Sequence, residues 1–157
     1  MKNPTCCFTG HRKIPAGEYP EIQRRLTLRI IELIHEGVCC FEAGGALGFD
    51  TMAALTVLNI KKWFPHIRLI LVLPCKEQAE RWSKEDKKTY NHILKQADKV
   101  VYISEQYDRD CMFRRNRTLV DHSDVCVCCL TANRGGTVYT ANYARRKGLP
   151  IINLADL

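Results

Sequence analysis

The 157 residues include 24 lysines and arginines against 17 acidic residues, a net charge of +7, with 46% hydrophobic and 26% charged positions. That balance excludes a disordered or fibrous chain, and no apolar run approaches the ~20 residues of a membrane span. The surplus of positive charge favours an anionic partner, whether nucleotide, nucleic acid or acidic surface.

The length suits one domain, residues 1–157, and the opening MKNPTCCFTGHR contains no apolar signal core, so a cytosolic location is expected. The nine cysteines are odd in number, and in that compartment they read as free thiols, most of them in apolar runs where they act as small hydrophobes. Cys126 and Cys129 have a CxxC spacing, but a strand sends them to opposite faces where a zinc knuckle needs a turn. No metal site is expected.

Strand-like and helix-like runs alternate. CCFT at residues 6–9 is a short apolar strand closed by Gly10. Residues 19–36 space Ile22, Leu26, Ile30, Leu33 and Ile34 at the helical period. VCCFEA (38–43) reads as the second strand, 50–63 as the second helix, and RLILVL (68–73) as a third strand covered on both faces. Residues 77–97 read as two helical pieces, the second capped by Ser83. KVVYIS, the helix 112–122, DVCVCCL, the helix 137–147 and PIINL complete the alternation. Strand, helix, strand repeated in this way implies an α/β, Rossmann-like domain: an open, mainly parallel sheet of about six strands with helices on both faces. In such a sheet the ligand lies beyond the carboxyl ends of the strands, where strand order reverses.

The strand ends hold the residues with chemistry. After the first strand, Gly10 permits close backbone approach and Arg12 offers a bidentate guanidinium, although a plain turn with a solvated arginine is the simpler explanation of the pair taken alone. After the second, Gly44, Gly45 and Gly48 precede Asp50, a cradle-like run that lacks the full GxGxxG spacing; Asp50 also suits a helix cap. Glu42, closing a buried strand, needs a partner of its own. Arg115, Asn116 and Arg117 stand near a helix start, where the dipole disfavours cations and a bound phosphate would relieve the conflict. After the fifth strand come Gly135, Gly136, Thr137 and Thr140, rich in hydroxyl and backbone donors and without a carboxylate.

Six segments in this order resemble the SLOG superfamily, which groups Smf/DprA-type DNA-processing proteins with LOG phosphoribohydrolases: FTGHR, GGALGFDTMAA, LVLPCKEQAERWSKEDKKTYNHIL, ADKVVYISEQY, CMFRRNRTLVDHSD and GGTVYTANYARRKGLPII. The likeness is greatest to the small stand-alone YpsA-like branch. It implies a Rossmann-like, often oligomeric protein whose glycine-rich strand ends bind a nucleotide or nucleotide-derived ligand, and by position it marks Gly10, Arg12, Gly44, Gly45, Gly48, Asp50, Arg115, Asn116, Arg117, Gly135, Gly136 and Thr137. Trp82 also matches a branch position; it suits base stacking and core anchoring about equally.

Three readings follow. A LOG-like hydrolase of nucleoside monophosphates carries a glutamate three residues after the glycine-rich Gly-Thr pair; Thr140 stands there, and a hydroxyl cannot supply the charge that helps an oxocarbenium-like transition state, which leaves Glu42 as a weak substitute. A DprA-like single-strand binder matches the arginines and GGTVYTA, yet the 8% of aromatic residues do not cluster around the arginines. The favoured expectation is a regulator or sensor that binds an ADP-ribose- or NAD-like ligand, without catalysis of its own, as a homo-oligomer with no membrane partner and only a secondary prospect of nucleic acid.

Overall fold

The computed structural model describes residues 3–131 and 136–155. Its strands are β1 (Thr5–Gly10), β2 (Cys40–Ala43), β3 (Arg68–Leu73), β4 (Lys99–Tyr102), β5 (Val125–Cys129) and β6 (Ile151–Asn153). They form one sheet in the order β4-β3-β2-β1-β5-β6, with every pairing parallel. The helices are α1 (Tyr19–His35), α2 (Phe49–Lys61), α3 (Lys84–Gln96), α4 (Cys111–Asp121) and α5 (Gly136–Arg146). The sequence thus folds into the expected Rossmann-like α/β sheet.

Strand periodicity divides the interior into two layers. Cys6 and Phe8 of β1, Phe41 and Ala43 of β2, Leu69, Leu71 and Leu73 of β3, and Val127 and Cys129 of β5 pack with α1, α2 and α3. The intervening residues Cys7, Val72, Cys126 and Cys128 pack with Leu119 and Val120 of α4 and Ala144 of α5. Both faces of each central strand are covered, which is why these strands read as unbroken apolar runs. Cys126 and Cys129 fall in different layers, as a strand dictates.

Two local expectations give way. Residues 77–82 form hydrogen-bonded turns rather than a helix, with Glu80 N–H bonded to Glu77 O and Trp82 N–H to Ala79 O. Three-residue closures of that kind end where Ser83 accepts from Asp86 N–H at 3.1 Å and starts α3. The second strand begins at Cys40, because the Val38 N–H is spent on Leu33 O at the end of α1 and the Cys40 N–H to Pro4 O bond is the first rung beside β1.

The chain builds outward from β1 to β4, then α4 returns it across the opposite face so that β5 enters beside β1. The connections leaving β1 and β5 diverge to opposite faces, and a crevice opens between them at the carboxyl ends of the strands.

Candidate functional site

A cleft of about 480 Å³ occupies that crevice, lined by Thr9, Gly10, His11 and Arg12 after β1, Ala46 and Asp50 before and in α2, Tyr107, Met112, Phe113, Arg115 and Asn116 at α4, and Gly136 and Thr137 of α5. Among the sequence-derived candidates, Gly10, Arg12, Asp50, Arg115, Asn116, Gly136 and Thr137 therefore converge. Glu42, Gly44, Gly45, Gly48, Arg117, Thr140 and Trp82 are not among its lining residues, and Gly135 lies outside the described residues.

Arg115 forms the floor. It sits on α4 with 4% of its surface exposed, its Nη1 donating to the Gly44 carbonyl and its Nε to Asn116 Oδ1 at 2.7 Å. Arg12 reaches the same place from above: its Nη2 lies 3.5 Å from Met112 Sδ, and Nη2 of Arg115 lies 3.9 Å from the same sulfur. Two guanidinium groups from distant parts of the chain thus bracket one thioether at the cleft. Asp50 faces them, 7% exposed, and its Oδ2 accepts from Ala46 N–H at 3.3 Å. Burial raises its carboxyl from the ordinary 3.8 to about 6, against the opposing pull of Arg115, the Ala46 N–H and Arg12. Burial pulls the Arg115 guanidinium down in turn, and Asp50 holds it up. Perturbed ionisable groups in a cleft are a mark of functional sites.

The glycine run after β2 has a different use from the one its composition suggests. A Cβ on Gly44 would lie 2.7 Å from Arg115 Nη1, so this glycine makes the space in which the buried guanidinium sits. Gly48 has φ +80°, and a Cβ there would lie 2.2 Å from the Arg12 carbonyl oxygen. Its closeness brings Phe49 N–H to His11 O at 3.1 Å and ties the Arg12 loop to the start of α2. The N–H of Ala46 is taken by Asp50. This loop shapes and supports the cleft; it places Ala46, and not its glycines, in the lining.

Around α4, Arg114 pairs with Asp108 at 2.7 Å, so a carboxylate just ahead of the helix supplies the anion that its basic start calls for. Arg117, partly buried, reaches across to α5 and donates to Tyr139 Oη at 3.3 Å. Gly136 and Thr137 put the first turn of α5 against the cleft, where the positive end of the helix dipole favours an anion. Thr140 is 1% exposed and its Oγ1 donates to Gly136 O at 2.9 Å, bracing that turn from inside. Glu42 meets His122 Nδ1 at 3.2 Å beneath α4. Trp82 packs edge-on against Tyr90, ring centroids 5.1 Å apart, and rests on the core.

The aromatic rings at the cleft are Tyr107, 63% exposed, and Phe113, 42% exposed and backed by Tyr139 at 5.0 Å. Sequence reasoning passed over both, as it did Met112 and Ala46. The one signal for Phe113 was its place beside the arginine cluster. His11 accepts from Thr131 N–H at 3.1 Å through Nε2 and so links the loops that follow β1 and β5.

The YpsA family model, described as the YspA SLOG family, matches residues 7–149. The chain belongs to this SLOG family. Among its relatives, the uncharacterized SPbeta prophage-derived protein YoqJ of Bacillus subtilis is 31% identical, over 93% of this chain and 85% of its own. A UPF0398 protein of Halalkalibacterium halodurans is 36% identical over 74% of this chain and 67% of its own length. Two solved structures share the fold: DNA processing protein A from Helicobacter pylori, in a study of its single-stranded DNA binding mode (21% identity, TM-score 0.69), and DprA from Streptococcus pneumoniae (18%, TM-score 0.70). This SLOG chain spans 64% and 49% of those two chains, which cover 96% and 94% of it. Among the described residues, no helix is long and apolar enough to cross a membrane.

Proposed function

We propose that the cleft binds a nucleotide or nucleotide-derived anion, of the ADP-ribose or NAD type, and that the chain acts as a sensor or regulator. The observation that carries this reading is the buried Arg115 beside Arg12 at the reversal of strand order, with the first turn of α5 alongside. Two cations and a helix N-terminus suit a phosphate group; Arg12 can close on it in two parallel hydrogen bonds. Phe113 and Tyr107 offer faces on which a base can stack.

Binding is favoured over hydrolysis by the carboxylates. Thr140 occupies the position at which the LOG pattern has glutamate, and Glu42 stands apart from the cleft with His122. Asp50 is the carboxylate in the lining among the described residues, and the Ala46 N–H holds it. A single-strand-binding role, by likeness to the Helicobacter pylori neighbour, is the second reading, favoured by the exposed rings beside arginines.

Thermal stabilisation tests the proposal. A ligand at a hundred times its Kd stabilises a native protein by about 2.7 kcal/mol. ADP-ribose, NAD or AMP is expected to raise the melting temperature of the wild-type chain, and Arg12→Ala to abolish that rise without altering the unliganded melting temperature, since Arg12 is exposed. A wild-type chain indifferent to every nucleotide, or an equal rise in the variant, overturns the reading. Release of free base from AMP above a protein-free control overturns the non-catalytic part.

A further inference from the structure

A second anionic site is written along α3, away from the cleft. Lys84, Lys87, Lys88, Asn91, His92 and Lys95 together line a shallow depression on the outer side of this helix. At 100° per residue they occupy one stripe, while Tyr90 and Ile93 on the other side are buried. Five of the six are exposed and Lys87 is half-buried. Among the described residues no lysine of the stripe joins an ion pair, and Glu85 and Asp86, the helix's own carboxylates, fall off the stripe and into the first turn.

Helix stability explains Lys95, whose charge suits the last turn, but not Lys84, which stands in the first turn where the dipole disfavours a cation. Lys84 and Lys88 stand at i,i+4, a like-charge spacing that costs a few tenths of a kcal/mol where a glutamate would gain as much. The chemistry of the stripe also separates its partners. Lysine is depleted from protein–protein interfaces, and the stripe has no aromatic or aliphatic anchor for one. A membrane-surface helix needs large apolar residues facing the lipid, and here that face is spent on the core. Single-strand sites need several rings on which successive bases stack, and the depression has only the imidazole of His92. What fits is a regularly spaced polyanion. From Lys84 to Lys95 the stripe is about 16 Å long, the length over which one strand of a duplex carries about five phosphates.

We propose that the lysine stripe of α3 docks the phosphate backbone of double-stranded nucleic acid without reading its sequence. It stands whether or not the cleft takes a nucleotide. The test is fluorescence anisotropy of a labelled 20-base-pair duplex against the full chain over a salt series, with Lys84→Ala/Lys88→Ala/Lys95→Ala as the comparison. At about −0.9 per phosphate contact, removing three lysines flattens the slope of log K against log salt by about 2.7 and weakens binding at least ~10-fold in low salt. Alanine favours the helix, so the melting temperature of the variant holds or rises, and any nucleotide-induced rise at the cleft is retained. The inference falls if the wild type binds no duplex at ~50 mM salt, if the variant keeps the same affinity and slope, or if a single strand, poly-aspartate or an anionic phospholipid vesicle binds as tightly as the duplex.

Discussion

Asp50→Asn separates the two forces acting on the cleft's carboxyl. Removing the negative charge takes away the partner that Arg115 faces, which alone would destabilise; it also removes a buried charge, which alone would stabilise. The direction of the carboxyl's shift decides between them. A group held near 6 in place of its ordinary 3.8 disfavours its charged form by about 3 kcal/mol, after the help of both arginines has been counted. The substituted asparagine keeps an oxygen for Ala46 N–H and carries no charge. At pH 8 the variant is therefore expected to be more stable by about 1–3 kcal/mol, a rise of roughly 3–10 °C for a chain of this size.

The pH dependence has a definite sign. With the folded value above the unfolded one, protonated Asp50 contributes stability that is fully present below about 3.8 and is lost as pH rises through about 6. Glu21 and Asp108, both lowered by arginine partners, act in the opposite sense as pH falls toward 2. Urea titrations of wild type and variant at matched pH isolate Asp50: the gap opens between pH 4 and 6 and is constant above. A variant that melts lower than wild type at pH 8 would refute the reasoning, because the Asp50–Arg115 attraction would then outweigh desolvation.

Gly48→Ala combines a left-handed φ with a backbone clash and is expected to cost more than ~2 kcal/mol in a urea titration. Gly44→Ala presses on the end of the Arg115 side chain instead; calorimetry of nucleotide binding should show affinity falling about tenfold, with a smaller stability loss than at Gly48. Thr140→Glu inserts a carboxylate at a 1% exposed position and is expected to lose ~3 kcal/mol or more without yielding free base from AMP. Arg117→Ala removes a contact to Tyr139 outside the cleft and should leave most of the nucleotide-induced melting shift in place.

The sheet was legible because its signal is local and repeated. The unbroken apolar runs CCFT, RLILVL and VCVCC force each strand to bury two faces, and two buried faces require helices on both. The helical period of α1 and the Ser83 cap of α3 are equally local, and both appear as read. The purpose of Gly44 was hidden because it depends on a guanidinium 71 positions further along the chain. Arg115 reads in the sequence as part of a basic helix start; only the angular position of α4 on the sheet sends it inward while Arg114 finds Asp108 and Arg117 finds Tyr139. Residues 77–82 lacked the apolar period that distinguishes successive turns from a helix, and polarity alone does not separate the two.

The distribution of thiols makes the sheet its own reporter. Eight of the nine free cysteines are buried and Cys39 alone is half-exposed. A thiol reagent should therefore modify Cys39 at once and reach Cys6, Cys7, Cys126 and Cys128 only when the helices that cover them lift from the sheet, so the slow phase of labelling measures the opening of the two layers around β1 and β5. Those two strands flank the cleft. A ligand seated there would slow that phase, and native-state labelling would register occupancy in a chain with no added probe.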